Sequence, residues 1–301
     1  MKSSPAARAV AAAIAEATGA PFDLAEVRSV GGGCIHTALE ISGRTPRGER
    51  RCFAKVNEAD RAAMFAAEAD GLSALREAGA VRVPQVIAQG GDGSVSWIVL
   101  EWLELQPLDG ASAAKLGAAL AAQHRIAQRT FGWPRDNFIG ASVQRNAPSD
   151  DWLAFWRHER LHAQLRLAAA NRLPSRMIDR GERLAADCEA FFRDYSPERS
   201  LLHGDLWGGN AAALSDGTPV IFDPAVYVGD READVAMTEL FGGFPRDFLS
   251  AYRAHWPLDP GYTVRRDFYN LYHVLNHANL FAGGYVRQAG DSIEALLAEI
   301  A

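Results

Sequence analysis

Three side chains stand at spacings that could serve one reaction. Asp205 and Asn210 lie five residues apart in His203-Gly204-Asp205-Leu206-Trp207-Gly208-Gly209-Asn210, and Asp223 follows thirteen residues after Asn210, at the end of Val220-Ile221-Phe222. An Asp and an Asn on one loop, with a second Asp just past a short apolar strand, can converge on a phosphate and its metal ion. In phosphoryl transfer the first Asp accepts the proton of the attacking hydroxyl. The Asn and the second Asp offer the hard oxygen donors that Mg²⁺ prefers. A turn with an Asp cap could produce the first string alone, but the apolar strand ending in Asp223 at this distance argues against coincidence.

The spacing is that of a kinase catalytic loop with Gly204 where an Arg is usual, and the upstream chain offers the parts such a loop needs. Gly31-Gly32-Gly33 separates two apolar runs and would let a hairpin close over phosphates, although a plain turn has the same composition. Lys55 in Ala54-Lys55-Val56 would pair with the α and β phosphates, and Glu68 on the next helical stretch would hold the Lys. Singly, each reads as a solvated surface residue. Their order relative to the glycine turn and Asp205 favours the functional reading. The run Ile98-Val99-Leu100-Glu101-Trp102-Leu103 would then be a hinge on which adenine hydrogen-bonds to the backbone at Glu101 and Leu103.

These residues need elements to carry them. Apolar alternation predicts strands at Glu26–Val30, Thr37–Ile41, Arg51–Val56, Pro84–Ala88 and Ser96–Glu101, after a first helix that Gly19 and Pro21 close. A helix is expected from Arg61 to Glu77. Beyond Pro107 helical periodicity dominates, around Ala113–Arg129, Asp151–Ala170, Arg180–Tyr195, Asp234–Phe241, Pro245–His255 and Arg265–Tyr285, broken by a strand–loop–strand insertion at Leu201–Asp223. The expectation is an α+β chain in two lobes: a small antiparallel-sheet lobe over residues 1–102 and a larger, mainly helical lobe over residues 103–301, with a cleft between them.

Composition narrows the partners. The chain has 301 residues, of which 54 are Ala, and a net charge of −6. That charge provides no long-range attraction to nucleic acid or anionic lipid. The stretch Val10–Ala15 meets Glu16 too soon for a signal peptide, and no run of apolar residues is long enough to span a membrane. Three cysteines, Cys34, Cys52 and Cys188, fit neither a disulfide framework nor a zinc site. A cytoplasmic protein is expected, monomeric by default.

With these motifs in view the chain resembles the fructosamine-3-kinase (ketosamine-3-kinase) family, a branch of the protein-kinase-like fold related to aminoglycoside and choline kinases. The resemblance runs through Gly31-Gly32-Gly33-Cys34-Ile35, Phe53-Ala54-Lys55-Val56-Asn57, Asp136-Asn137-Phe138-Ile139-Gly140, Leu202–Asn210, Gly229-Asp230-Arg231-Glu232-Ala233-Asp234 and Tyr269–His277. Trp207 and the last two segments point to this family in particular. The resemblance implies ATP-dependent phosphorylation of the 3-hydroxyl of a ketosamine, a sugar joined to an amine through Amadori rearrangement, as a repair of glycated amino acids or proteins. It implies Asp205 as base, Asn210 and Asp223 as Mg²⁺ ligands, Lys55 and Glu68 at the phosphates, and Trp207 with His277 lining the sugar pocket. An indole face can stack on the C–H face of a sugar, though a Trp is also a common core residue. His277 also reads as a packed helix residue. The acidic residues Asp230, Glu232 and Asp234 could steer a cationic substrate, but capping of a helix starting near Asp234 is the preferred reading.

Cys34 stands in the loop expected over the phosphates, where a backbone nest lowers a thiol pKa. A redox-linked dimer through Cys34 is one reading and a small loop residue the other. Two rival functions keep part of the pattern. An aminoglycoside or choline-like kinase shares Asp205, Asn210 and Asp223, and a regulatory pseudokinase has no physical need of all five polar groups.

Overall fold

A computed structural model describes residues 4–31 and 35–300. Gly32, Gly33 and Cys34 therefore lie outside the described residues, and with them the central part of the expected phosphate loop. Helix α1 (Pro5–Thr18) starts at Ser4, whose hydroxyl accepts from the Ala7 N–H, and stops at Gly19 with φ of 62°. Five antiparallel strands follow: β1 (Asp23–Ser29), β2 (Thr37–Thr45), β3 (Gly48–Glu58), β4 (Val86–Gly91) and β5 (Val95–Glu101), ordered β1-β2-β3-β5-β4. The β2–β3 arms run further than alternation suggested. The register continues to Thr45 paired with Gly48, so Gly43 and Arg44 are strand residues.

Period-two alternation sorts the sheet into two faces. Cys52, Ala54, Val56, Trp97 and Val99 pack with Val10 and Ile14 of α1. Ile98 and Leu100 face the other way and pack with Phe65, Leu72 and Leu75 of α2 (Ala62–Ala78). Lys55 pairs with Ile98 across the ladder and so belongs to the α2 face, which is how a lysine on a central strand comes to point into the cleft.

The second lobe is mostly helical. Helix α3 (Gly110–His124) is followed by a short hairpin, β6 (Asn137–Ile139) with β7 (Ser142–Gln144), which helical periodicity did not reveal. The helix expected over Asp151–Ala170 is three joined pieces, α4 (Trp152–Phe155), a π-helical segment Trp156–Leu161 and α5 (His162–Ala170). The wider turn aims the fully buried Arg160 inward over the rings of Tyr227 and Phe155, at 4.1 and 4.7 Å. Next come α6 (Ser175–Asp187), the short strands β8 (Ser200–Leu202), β9 (Ala211–Ala213), β10 (Pro219–Ile221) and β11 (Tyr227–Gly229), and then α7 (Arg231–Leu240) and α8 (Arg246–His255). The expected last helix is two, α9 (Tyr262–Phe281) and α10 (Gly284–Ala298). Ala282 at φ 54° and Gly283 at φ 59° make the break.

The architecture is the α+β, two-lobed, protein-kinase-like arrangement expected. One apolar cluster spans the junction, joining Phe65, Leu72, Ile98 and Leu100 to Leu116, Leu120, Leu201, Ile221 and Val235. No helix among the described residues is long and apolar enough to cross a membrane.

Helices α3 and α8 meet at Gly117, where an added Cβ would lie 2.2 Å from the Phe248 carbonyl oxygen. Backbone cannot yield as a flexible side chain can. Gly117→Ala is expected to destabilise the protein by about 1–3 kcal/mol through overpacking, measured by denaturant unfolding. Unchanged stability would mean the two helices separate freely.

Candidate active site

The loop after β8 is held by one buried carboxylate. Asp234 accepts from the backbone N–H groups of His203 (2.7 Å) and Gly204 (2.8 Å), and His124 Nε2 lies 3.2 Å from the same carboxylate. Tyr252 of α8 touches the other nitrogen of His124 at 2.9 Å. Burial works against the Asp234 charge, but His124 and the backbone donors outweigh it and hold the carboxyl below its ordinary range.

The acidic segment thus divides its work. Helix α7 begins at Arg231, three residues earlier than expected, because Asp230 is its cap, accepting from the Glu232 N–H at 3.0 Å. Glu232 pairs with buried Arg265 at 2.8 Å. Asp234, one turn into the helix, is left free to face the loop. Sequence reasoning found the cap and missed this role, since the amides Asp234 meets lie about thirty residues away in the chain.

Gly204 has φ of 81°, and a Cβ there would lie 2.1 Å from the Ala225 carbonyl oxygen. The position cannot hold the Arg usual in such loops. His203, fully buried, bridges two segments: its Nε2 donates to the Phe222 carbonyl at 2.9 Å and its Nδ1 accepts from the Asp205 N–H at 3.3 Å. Burial lowers its pKa, consistent with the neutral ring that this pattern requires.

On that frame the predicted polar residues converge. The Asn210 amide donates to the Asp205 carbonyl at 2.9 Å, to the Asp205 carboxylate at 3.3 Å and to the Asp223 carbonyl at 3.5 Å. Donation by the amide NH₂ leaves its oxygen as an acceptor. Asp223 adopts φ of 57°, a left-handed conformation that Asp tolerates better than most residues. Lys55 reaches Glu68 at 2.8 Å and Asp223 at 2.5 Å, so one ammonium ties β3, α2 and the end of the β10 segment. Burial opposes the Lys55 charge, but the two carboxylates prevail and raise its pKa. Asp205 is pushed up to about 7, by burial first and then by the Asp223 charge, against the Asn210 hydrogen bond.

Helix α2 is fixed to the second lobe beside Glu68. The Trp133 indole N–H donates to Asp70 at 2.7 Å, and a Cβ on Gly71 would lie 2.9 Å from Val226. At the hinge, the Glu101 carboxylate takes Arg82 at 2.7 Å and the Gln85 N–H at 2.5 Å. The Glu101 N–H donates to the Gln85 carbonyl at 2.9 Å, so a ligand there can be met only by the Glu101 carbonyl. Leu103 follows, half-buried, and Gly31 is exposed at the edge of the described segment.

Trp207 and His277 come together through a residue that the sequence reading did not single out. The Phe241 ring lies 6.3 Å from Trp207 and 5.0 Å from His277. The His277 Nδ1 donates to the His273 carbonyl at 2.8 Å, leaving Nε2 as an acceptor. The Phe241-Gly242-Gly243 run after α7 was the available signal, because paired glycines beside an aromatic permit close backbone approach.

Asp223 and the Asn210 oxygen are hard oxygen donors, the type Mg²⁺ takes, with its remaining positions filled by phosphate and water. The residues present fit that ion. Among the described residues no cluster of three His, Cys, Asp or Glu could hold a metal alone.

Comparison with known proteins places the chain among its relatives. The family model for fructosamine kinase matches residues 6–299. A "Probable ketoamine kinase" of Synechocystis sp. is 43% identical over 96% of this chain and 96% of its own length. The chloroplastic "Protein-ribulosamine 3-kinase" of Arabidopsis thaliana is 38% identical over 93% of this chain and 85% of its own. The crystal structure of a "Putative fructosamine-3-kinase" from Haemophilus somnus 129PT superposes with a TM-score of 0.87 at 28% identity, covering 96% of each chain.

Two substitutions test the frame. Asp234→Asn turns one acceptor oxygen into a donor facing N–H groups, and is expected to cost about 3–5 kcal/mol in unfolding experiments, as for a broken buried ion pair. Stability within about 0.5 kcal/mol of wild type would contradict the role. Gly204→Ala is expected to abolish turnover and lower the melting temperature; a fully active variant would show that the loop can retreat from Ala225.

Proposed function

The chain belongs to the fructosamine kinase family, and from that premise we infer that it transfers the terminal phosphate of ATP to a ketosamine, at its 3-hydroxyl. The observation that carries this reading is the chain of hydrogen bonds that links Lys55 to Asp223 and, through Asn210, Asp223 to Asp205, with groups drawn from both lobes. Exposed Trp207 stands two residues beyond the base. Ribulosamine and fructosamine adducts are the acceptors considered, and their phosphorylation would serve deglycation repair.

Each group then has a task. Asp205 accepts the proton of the attacking hydroxyl, and its raised pKa suits a base working near neutrality. Lys55, kept charged by Glu68, meets the phosphates and offsets the negative charge that grows in transfer. Asn210 and Asp223 would hold Mg²⁺, which supplies charge neutralisation at the phosphates when bound. Gly31, Gly32 and Gly33 would cover the phosphates, and the backbone at Glu101 and Leu103 would take the adenine. Trp207 stacks on the sugar while His277 offers Nε2 to a hydroxyl.

Residues 1–102 form the nucleotide lobe in this reading, and residues 103–301 the catalytic and acceptor lobe. The protein would act in the cytoplasm as a monomer, without nucleic-acid or membrane partners. Cys52 and Cys188 are buried thiols whose pKa burial raises. Any redox-linked dimer would therefore form through Cys34. Family membership weighs against the choline- and aminoglycoside-kinase reading, and the intact polar set against a pseudokinase.

Asp205→Ala is expected to reduce ketosamine-dependent ADP release by at least about 100-fold, the scale of a lost general base, with nucleotide binding retained by calorimetry. A variant as active as wild type would remove Asp205 from the mechanism. Only the deprotonated carboxylate can accept the proton, so kcat/KM should fall about tenfold per pH unit on the acid side of the Asp205 pKa. A profile flat down to the ordinary carboxylate range would contradict that assignment.

A further inference from the structure

We propose that a strip of aromatic side chains leading away from Asp205, with the groove at its far end, is a subsite for the amine-borne part of the acceptor. The occupant is a peptide carrying the sugar on a lysine side chain. The inference rests on the ketosamine-kinase reading and extends its acceptor site outward from Trp207.

The strip is continuous. From Trp207 it passes to Phe241 at 6.3 Å, to His277 at 5.0 Å and to Tyr285 at 5.0 Å, with Phe281 flanking at 5.6 Å from His277. Trp207, Phe241 and Phe281 are 40%, 38% and 53% exposed, among the few large apolar side chains left open to water. A row of half-exposed aromatics contacting one another marks a binding surface more readily than isolated ones do. The row is also built: a Cβ on Gly208 would lie 2.8 Å from the Gly242 carbonyl oxygen and 3.0 Å from the Gly243 Cα. That backbone approach is what sets Phe241 edge-on to Trp207.

The chemistry of the acceptor matches the order of the strip. With the sugar stacked on Trp207, the secondary amine that joins it to lysine falls beside the next rings. That amine is protonated near neutral pH, and aromatic faces attract a cation. The four-carbon lysine stem is apolar and can lie along Phe241 and Tyr285. Tyr285 also lines a groove of about 460 Å³ along the first turns of α10, with Arg287, Gln288, Asp291 and Ser292, so that its one cationic side chain is matched by one carboxylate. Those side chains offer both donors and acceptors, as a peptide backbone requires.

The test compares two acceptors with the same ribulose: a methylamine adduct, and a short peptide carrying the sugar on lysine beside a phenylalanine. kcat/KM is measured for each at saturating ATP and Mg²⁺ in wild type and in Phe281→Ala/Tyr285→Ala. Wild type is expected to prefer the peptide by about tenfold or more, and the double variant to shrink that ratio at least about fivefold. Phe281→Ala alone, which trims a mostly exposed side chain, should shrink it in the same direction and covers the case of a misfolded double variant. Equal kcat/KM for both acceptors in wild type, or a ratio that the substitutions leave unchanged, would overturn the subsite while the kinase reading stands. Absence of turnover on both would remove the kinase reading and the subsite together.

Discussion

The carboxylate of Asp234 is the constraint on which the site depends. Two adjacent backbone N–H groups of the loop, those of His203 and Gly204, point at it together, and a chain segment whose successive amides share one acceptor is fixed in direction. A buried charge is expensive, and this one is compensated by His124, which Tyr252 positions in turn. The orientation of Asp205 therefore traces back through α7 to α3 and α8. Gly117 matters for the same reason: it lets those two helices approach closely enough for Tyr252 to meet His124.

A second constraint joins the lobes. Lys55 comes from the sheet, Glu68 from α2 and Asp223 from the far side of the cleft, and a single ammonium satisfies both carboxylates. Removing any one would leave a buried or half-buried charge with less compensation than the fold provides. Around this ion triad the apolar cluster that spans the junction, the Trp133–Asp70 hydrogen bond and the close contact of Gly71 with Val226 keep α2 seated on the second lobe. The helix that presents Glu68 is as much a part of the second lobe's core as of the sheet's.

Much of this was legible in the order of residues. Alternation in β3 and β5 gives each strand two apolar faces, and Lys55, the one charged residue in the run Cys52–Val56 of β3, stands out against that pattern. Asp205, Asn210 and Asp223 could be read because the loop that carries them is local, and thirteen residues from Asn210 to Asp223 leave room for one tight hairpin and no more. Asp234 could not be read in the same way. An Asp near the start of a helix has a ready local explanation in capping, and only the position of Asp230 as the actual cap releases it. Phe241 and Tyr285 were hidden for a similar reason, since an aromatic residue in a helical lobe is by default a core residue, and exposure is a property of the packed chain.

What the sequence determined by itself is the set of local patterns: strand alternation, the glycine positions that demand unusual backbone, the catalytic-loop spacing and the family to which these belong. These follow from interactions within a few residues, or from spacings short enough that chain geometry leaves few outcomes. What only the tertiary structure decided is which distant groups share an acceptor or a face: Asp234 with the amides of the loop, Lys55 with carboxylates from two other elements, and Trp207 with Phe241 and His277. Such contacts depend on how segments seat against one another, and the close backbone approach at Gly117, Gly204 and Gly208, where no Cβ fits, sets that seating. No local pattern encodes it, because each glycine is read only against the backbone it meets.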